Sequence, residues 1–160
     1  MLRSGEPISL VFKMNESGTT VDNDGVDLAG HATGTTTDEA GDIGKFVIPY
    51  KCEVHIAQLV VTEGMGGTPR LKFDHRPTAG SNTARGEGDI GDINLGVTGV
   101  SAEGDVAYDE VAKGTILDPG DEVVVRVVTG ATGQGTVWPQ LLVKYMPETP
   151  ANISSMQATA

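Results

Sequence analysis

The chain has 160 residues, 22 acidic and 11 basic, for a formal charge of −11, with 38% apolar but only 4% aromatic content. That length suits one domain able to bury its own core, built here mainly from Val, Ile and Leu. The negative charge repels phosphate backbones, and no Lys/Arg-rich segment offers a local exception, which argues against nucleic acid as a direct partner.

The apolar run before Lys13 is too short for the hydrophobic region of a signal peptide, and no apolar stretch is long enough for a transmembrane helix, so synthesis in the cytoplasm and no membrane partner are expected. Ile8 to Phe12 reads as a first strand. Asn15 to Gly44 is dense in Gly, Thr and Asp, a composition of turns and extended loop. Such a segment is long for a loop in a compact domain. Either short strands lie within it, such as Thr19 to Val21, or it is an arm laid over another subunit. Thr36 to Glu39 can cap one helical turn, which Gly41 and Gly44 would end.

From Lys45 the pattern sharpens. KFVIPYKCEVHIAQLVVTEG places Phe46, Ile48, Cys52, Val54 and Ile56 at even spacings, the signature of a half-buried strand, interrupted by Pro49. Leu59 to Val61 extends it with both faces apolar, and His55 points away from the main apolar face. Cys52 is the only cysteine, so no intrachain disulfide forms, and its apolar setting reads as that of a buried small hydrophobe. GMGG at Gly64 to Gly67 is a turn. RLKFDHR then sets Leu71 and Phe73 on one face against Arg70, Lys72 and Asp74 on the other, with His75 at the strand end.

Thr78 to Glu87 is a polar excursion, after which DIGDINLGV offers Ile93, Leu95 and Val97 to one face. Asp105 to Val111 sets Val106 and Tyr108 opposite Ala107 and Asp109. ILDPGD is a turn pinned by Pro119 and Gly120. Val123, Val125 and Val127 form one file and Val124, Arg126 and Val128 the other. Recurrence at two, with β-branched side chains, excludes a helix. GATGQG then connects to TVWPQLLVKY as the loop of a hairpin. Pro139 inside the return strand implies an edge position or a bulge, since it has no N–H to give to a ladder. Leu141, Val143 and Tyr145 resume the alternation.

Seven or eight short strands with Gly-rich turns predict an all-β chain: a single antiparallel β-sandwich, jelly-roll-like, with long Gly/Thr-rich loops. An immunoglobulin-like sandwich ranks second, lacking the Cys pair. The expected organisation is a strand and arm region over 1–44, a sandwich core over 45–148 and a tail over 149–160.

Chemistry-bearing motifs are sparse. DNDGVD at Asp22 to Asp27 opens like a calcium loop, but the position that requires Glu is Thr33, and a surface turn is the better reading. Asp89 and Asp92, with Asp105 or Asp109, are a second conceivable Ca²⁺ set. His31, His55 and His75 share no ligand spacing. There is no G-x-S-x-G, and GEGDIGDINLG lacks the following helix that a phosphate cradle needs. No cofactor and no catalytic residue are therefore expected.

The phrases FVIPYKCEVHIAQLVVTEG, PRLKFDHRPTAGS, DIGDINL and LDPGDEVVVRV together resemble small β-rich structural proteins of tailed bacteriophages. They are most similar to capsid decoration, or cement, proteins, and after them to head-fibre bases, over roughly Lys45 to Asn152. The resemblance implies a non-enzymatic virion protein, often a homotrimer, that contacts the major capsid protein on the outside of the shell and stabilises it. It carries over no catalytic residue. The residues assigned to such contacts are Phe12, Trp138, Pro139, Tyr145 and Met156, Trp138 because Trp is favoured at hot spots. The rivals are a carbohydrate-binding or host-adhesion module using an exposed surface near Tyr108 or Trp138, and a metal-dependent hydrolase or epimerase on a jelly roll.

Overall fold

Small and branched apolar residues at every second position force one side of each long strand against another layer. The computed structural model describes residues 6–14, 21–22, 25–28, 42–77, 88–95, 102–110, 112–132 and 135–146. In chain order the described strands are β1 (Pro7–Ser9), β2 (Phe12–Met14), β3 (Val21–Asp22), β4 (Gly25–Asp27), β5 (Asp42–Val47), β6 (Cys52–Glu63), β7 (Arg70–Arg76), β8 (Gly88–Asn94), β9 (Val106–Asp109), β10 (Ile116–Leu117), β11 (Glu122–Thr129) and β12 (Thr136–Tyr145). They form two antiparallel sheets in a sandwich-like arrangement. The first has the order β10-β6-β12-β4-β3, with β1 beside β12 and β9 beside β6; the second has the order β2-β5-β11-β7-β8.

The core lies between the sheets. Val54, Ala57, Leu59, Val61, Val137, Leu141 and Val143 face Phe46, Leu71, Phe73, Val123, Val125 and Val127, all buried. Phe46 and Phe73 stack at 6.2 Å, and Phe12 tilts onto Phe46 at 5.1 Å. The described stretches of 1–44 lie in these sheets: Phe12, Val26, Leu28 and Ile43 are core residues. DNDGVD supplies the β3–β4 hairpin, Val21 facing Val26 and Asp22 facing Gly25. The helical turn considered at Thr36 to Glu39 lies outside the described residues.

Three expectations need correction. The β11–β12 hairpin does not form: β11 pairs with β5 and β7, whereas β12 pairs with β6, β4 and β1. Val124 and Arg126 explain why. They occupy the second file of β11 yet are also buried, which suits a strand flanked on both edges. GATGQG therefore crosses from one sheet to the other.

Pro139 lies neither on an edge strand nor at a bulge, since β12 is central. Its backbone points the same way as that of Leu141, whose carbonyl accepts from Leu10 N–H at 3.0 Å, away from β6. On that side β12 meets β4 at Thr136 and Val137 and β1 at Leu142 to Lys144. Pro139 falls in the gap between them, where no ladder bond is lost.

The alternation of β6 is also not continuous. The register shifts between Leu142↔Ile56 and Val143↔Val54, leaving His55 as the extra residue of a bulge. Cys52 and Val54 point inward before it; Ala57, Leu59 and Val61 do so after it, and Ile56 faces outward.

β8 and β9 close one long side of the sandwich, giving it a half-barrel character. Asp92 N–H donates to Asp109 Oδ2 at 2.9 Å across this seam. The layers come so close there that a Cβ on Gly91 would stand 2.9 Å from Ala57 Cβ. Only small side chains fit, which is why Ala107 faces in while Val106 and Tyr108 face out.

Candidate functional site

The two outer faces differ in chemistry. On the β5–β11–β7–β8 sheet, outward side chains form a web of opposite charges. Arg126 Nε donates to Asp42 Oδ1 at 2.7 Å and its Nη1 lies 3.4 Å from Asp74; Arg76 reaches Asp42 at 3.2 Å. Lys45 pairs with Glu122, and Arg70 grips Asp92 through both Nε and Nη2. Cations on β5, β7 and β11 meet carboxylates on other strands of the same sheet, so these charges neutralise one another.

The outer face of the other sheet is neutral. Directly paired residues of antiparallel strands share a face. One row is therefore Val106–Val60–Trp138 and the next is Tyr108–Gln58–Gln140, with Ile56 beside Leu142 beyond. Trp138 is 37% exposed, Val106 45% and Tyr108 64%. Gln58 Nε2 donates to Gln140 Oε1, tying β6 to β12 between the aromatic positions. From strand spacing and rise, Tyr108 and Trp138 stand ~12 Å apart. Among the described residues of β6, β12 and β4, charges on this face stand toward the strand ends, with the Glu53 and Lys144 pair at one and Glu63 and Asp27, both paired with Thr136, at the other. A neutral strip with exposed Trp, Tyr and Val, on a chain carrying −11, is the surface best suited to a partner.

A concavity of about 280 Å³ opens at one end of the sandwich, lined by Pro49, Tyr50, Lys51, Pro119, Tyr145 and Met146. Tyr50 and Tyr145 meet edge to face at 5.8 Å and 81°. Both loops that form it are tied down: Gly120 N–H donates to Ile48 O at 2.8 Å, and Met146 N–H to Lys51 O at 3.0 Å.

His75, Asp121 and Asp105 hold structure. His75 Nε2 lies 2.8 Å from Asp121 Oδ2 in the interior, and the same oxygen accepts from Asp118 N–H at 3.0 Å. This fixes the turn before β11. Burial pushes the Cys52 thiol up to about 11, and the Asp121 and Asp118 carboxylates add to the effect, the opposite of a nucleophile's activation. Asp105 accepts from Ala102 N–H. Among the described residues no group of three or more His, Cys, Asp or Glu is arranged to hold a metal, and His31 lies outside them.

Of the residues assigned to contacts from sequence, Trp138 stands on the neutral face and Tyr145 in the end groove. Phe12 and Pro139 are enclosed in the chain's own core, and Met156 lies outside the described residues. Val60, Gln58 and Gln140 were not singled out by sequence reasoning. Their signal was the alternation itself, hidden by the bulge at His55. Comparison with protein-family models, with curated proteins and with solved structures finds no match to this chain.

Proposed function

We propose that this all-β domain is a non-enzymatic structural protein of a tailed-phage virion. In this reading it binds the outer surface of the capsid through contacts with the major capsid protein, stabilises the shell, and follows a jelly-roll path as a homotrimer. The observation that carries the reading is the contrast between the two outer faces. One neutralises its own charges and the other leaves Trp138, Tyr108 and Val106 uncovered on a rigid sheet, as a docking module requires. The resemblance of its strand and turn phrases to those of decoration proteins points the same way.

The test is co-sedimentation with undecorated phage heads, with protein mass measured by light scattering. Saturable binding that Trp138→Ala weakens at least tenfold supports the reading; a chain that leaves every head preparation in the supernatant overturns it. A second reading, a carbohydrate-binding adhesion module, draws on the Gln58–Gln140 amide pair set between Tyr108 and Trp138. Retardation in gels containing neutral polysaccharide, without head binding, favours it.

A further inference from the structure

The groove at the end of the sandwich is independent of the neutral face, and its chemistry is specific. Two tyrosine rings at right angles, two prolines and a methionine line it, with one cation, Lys51, at its side. Paired aromatics flanked by prolines bind extended polyproline II segments, whose three-residue turn brings prolines at i and i+3 to the same side. The chain contains one such spacing beside the groove: Pro147, Glu148, Thr149 and Pro150 follow Met146 directly. Glu148 between the prolines complements Lys51, which has no carboxylate partner among the described residues.

We propose that the groove of one copy receives the Pro147–Pro150 segment of a second copy. The segment's own groove is a poor host. Met146 is part of its wall, held there by its N–H on Lys51 O, and a residue preceding proline favours extended backbone. Tail-to-groove contact is heterologous, so it links copies into a closed ring or a longer array.

The experiment is light scattering on full-length chains, using Tyr50→Ala, which keeps the segment and loses the groove, and the double variant Pro147→Ala/Pro150→Ala, which does the reverse. Tyr50 is 53% exposed, so its truncation spares the fold, and circular dichroism checks this. The parent should run as a multiple of 16.6 kDa and each variant alone as a monomer. An equimolar mixture of the two should give a 1:1 heterodimer of about 33 kDa, twice the chain mass, because one intact groove meets one intact segment. Lys51→Glu should weaken association at least fivefold, and added salt should weaken the parent's as well. A parent that is monomeric at 100 µM, or variants that keep the parent's mass, overturns the proposal. Failure of the mixture to associate does so too. None of these outcomes bears on head binding through the neutral face.

Discussion

Cys52 shows how burial, aided by the nearby Asp121 and Asp118 carboxylates, disposes of a reactive group. Its thiol rises from 9.0 to about 11 in the folded chain, so between those values the unfolded chain releases a proton that the folded chain keeps. The stabilisation is whole below pH 9 and is lost as pH rises through 11, an effect of about 2–3 kcal/mol. Urea unfolding of the parent and of Cys52→Val across pH 8 to 11 should diverge by that amount, the variant losing less. Parallel curves would place the thiol in a solvated site. Gly91 is the steric counterpart. A methyl there meets Ala57 Cβ at 2.9 Å, so Gly91→Ala should cost about 1–3 kcal/mol. Adding Ala57→Gly should recover part of that loss in a double-mutant cycle. If the two changes are simply additive, β8 and β6 do not pack closely at this point.

Among the elements, β11 carries the charge web. Asp42 joins Arg126 and Arg76, and both the Asp42 and Arg126 side chains are nearly shielded from water. Asp42→Ala should therefore destabilise by about 3–5 kcal/mol in urea unfolding, since Arg126 keeps its burial but loses its closest carboxylate. Asp42→Leu with Arg126→Met should cost markedly less, because it removes both charges together. Strand content was legible in the sequence wherever side chains alternate: RLKFDHR and the valines of β11 face as their spacing predicts. Partnership between strands was not. The alternation of β11 and β12 suits a hairpin as well as two central strands, and only the burial of Val124 and Arg126 decides between them. Nor did composition reveal that Val26 and Leu28, within a Gly- and Asp-rich stretch, belong to the core. A chain cut before Lys45 loses these two with Phe12 and Ile43. The neutral face was half legible: Tyr108 and Trp138 drew notice as exposed aromatics, but the bulge at His55 hid their shared side of the sheet.

At the scale of the whole molecule, a charge of −11 coexists with one face that carries almost none of it. Binding through that face should be nearly insensitive to ionic strength, because screening acts on charges and not on buried apolar area. Head binding measured at 50 and 500 mM salt should differ by less than about threefold, against a loss of tenfold or more for a contact made by the charge web. Tail-to-groove association, which uses Lys51, should show the salt dependence that the neutral face lacks. The two dependences separate the surfaces in a single titration series.

The routing of β11 and β12 has a kinetic side. Both strands are patterned to zip together across a short loop, within microseconds if nothing intervenes, yet each must end between neighbours drawn from distant parts of the chain. Non-native pairing of β11 with β12 should therefore compete with the native partners during refolding, and stopped-flow refolding should show it as a slow phase. Contacts of such long range form in milliseconds to seconds. While that competition lasts the edges of these valine-rich strands are open to other molecules, so aggregation on refolding should rise with salt, which screens the net charge of −11.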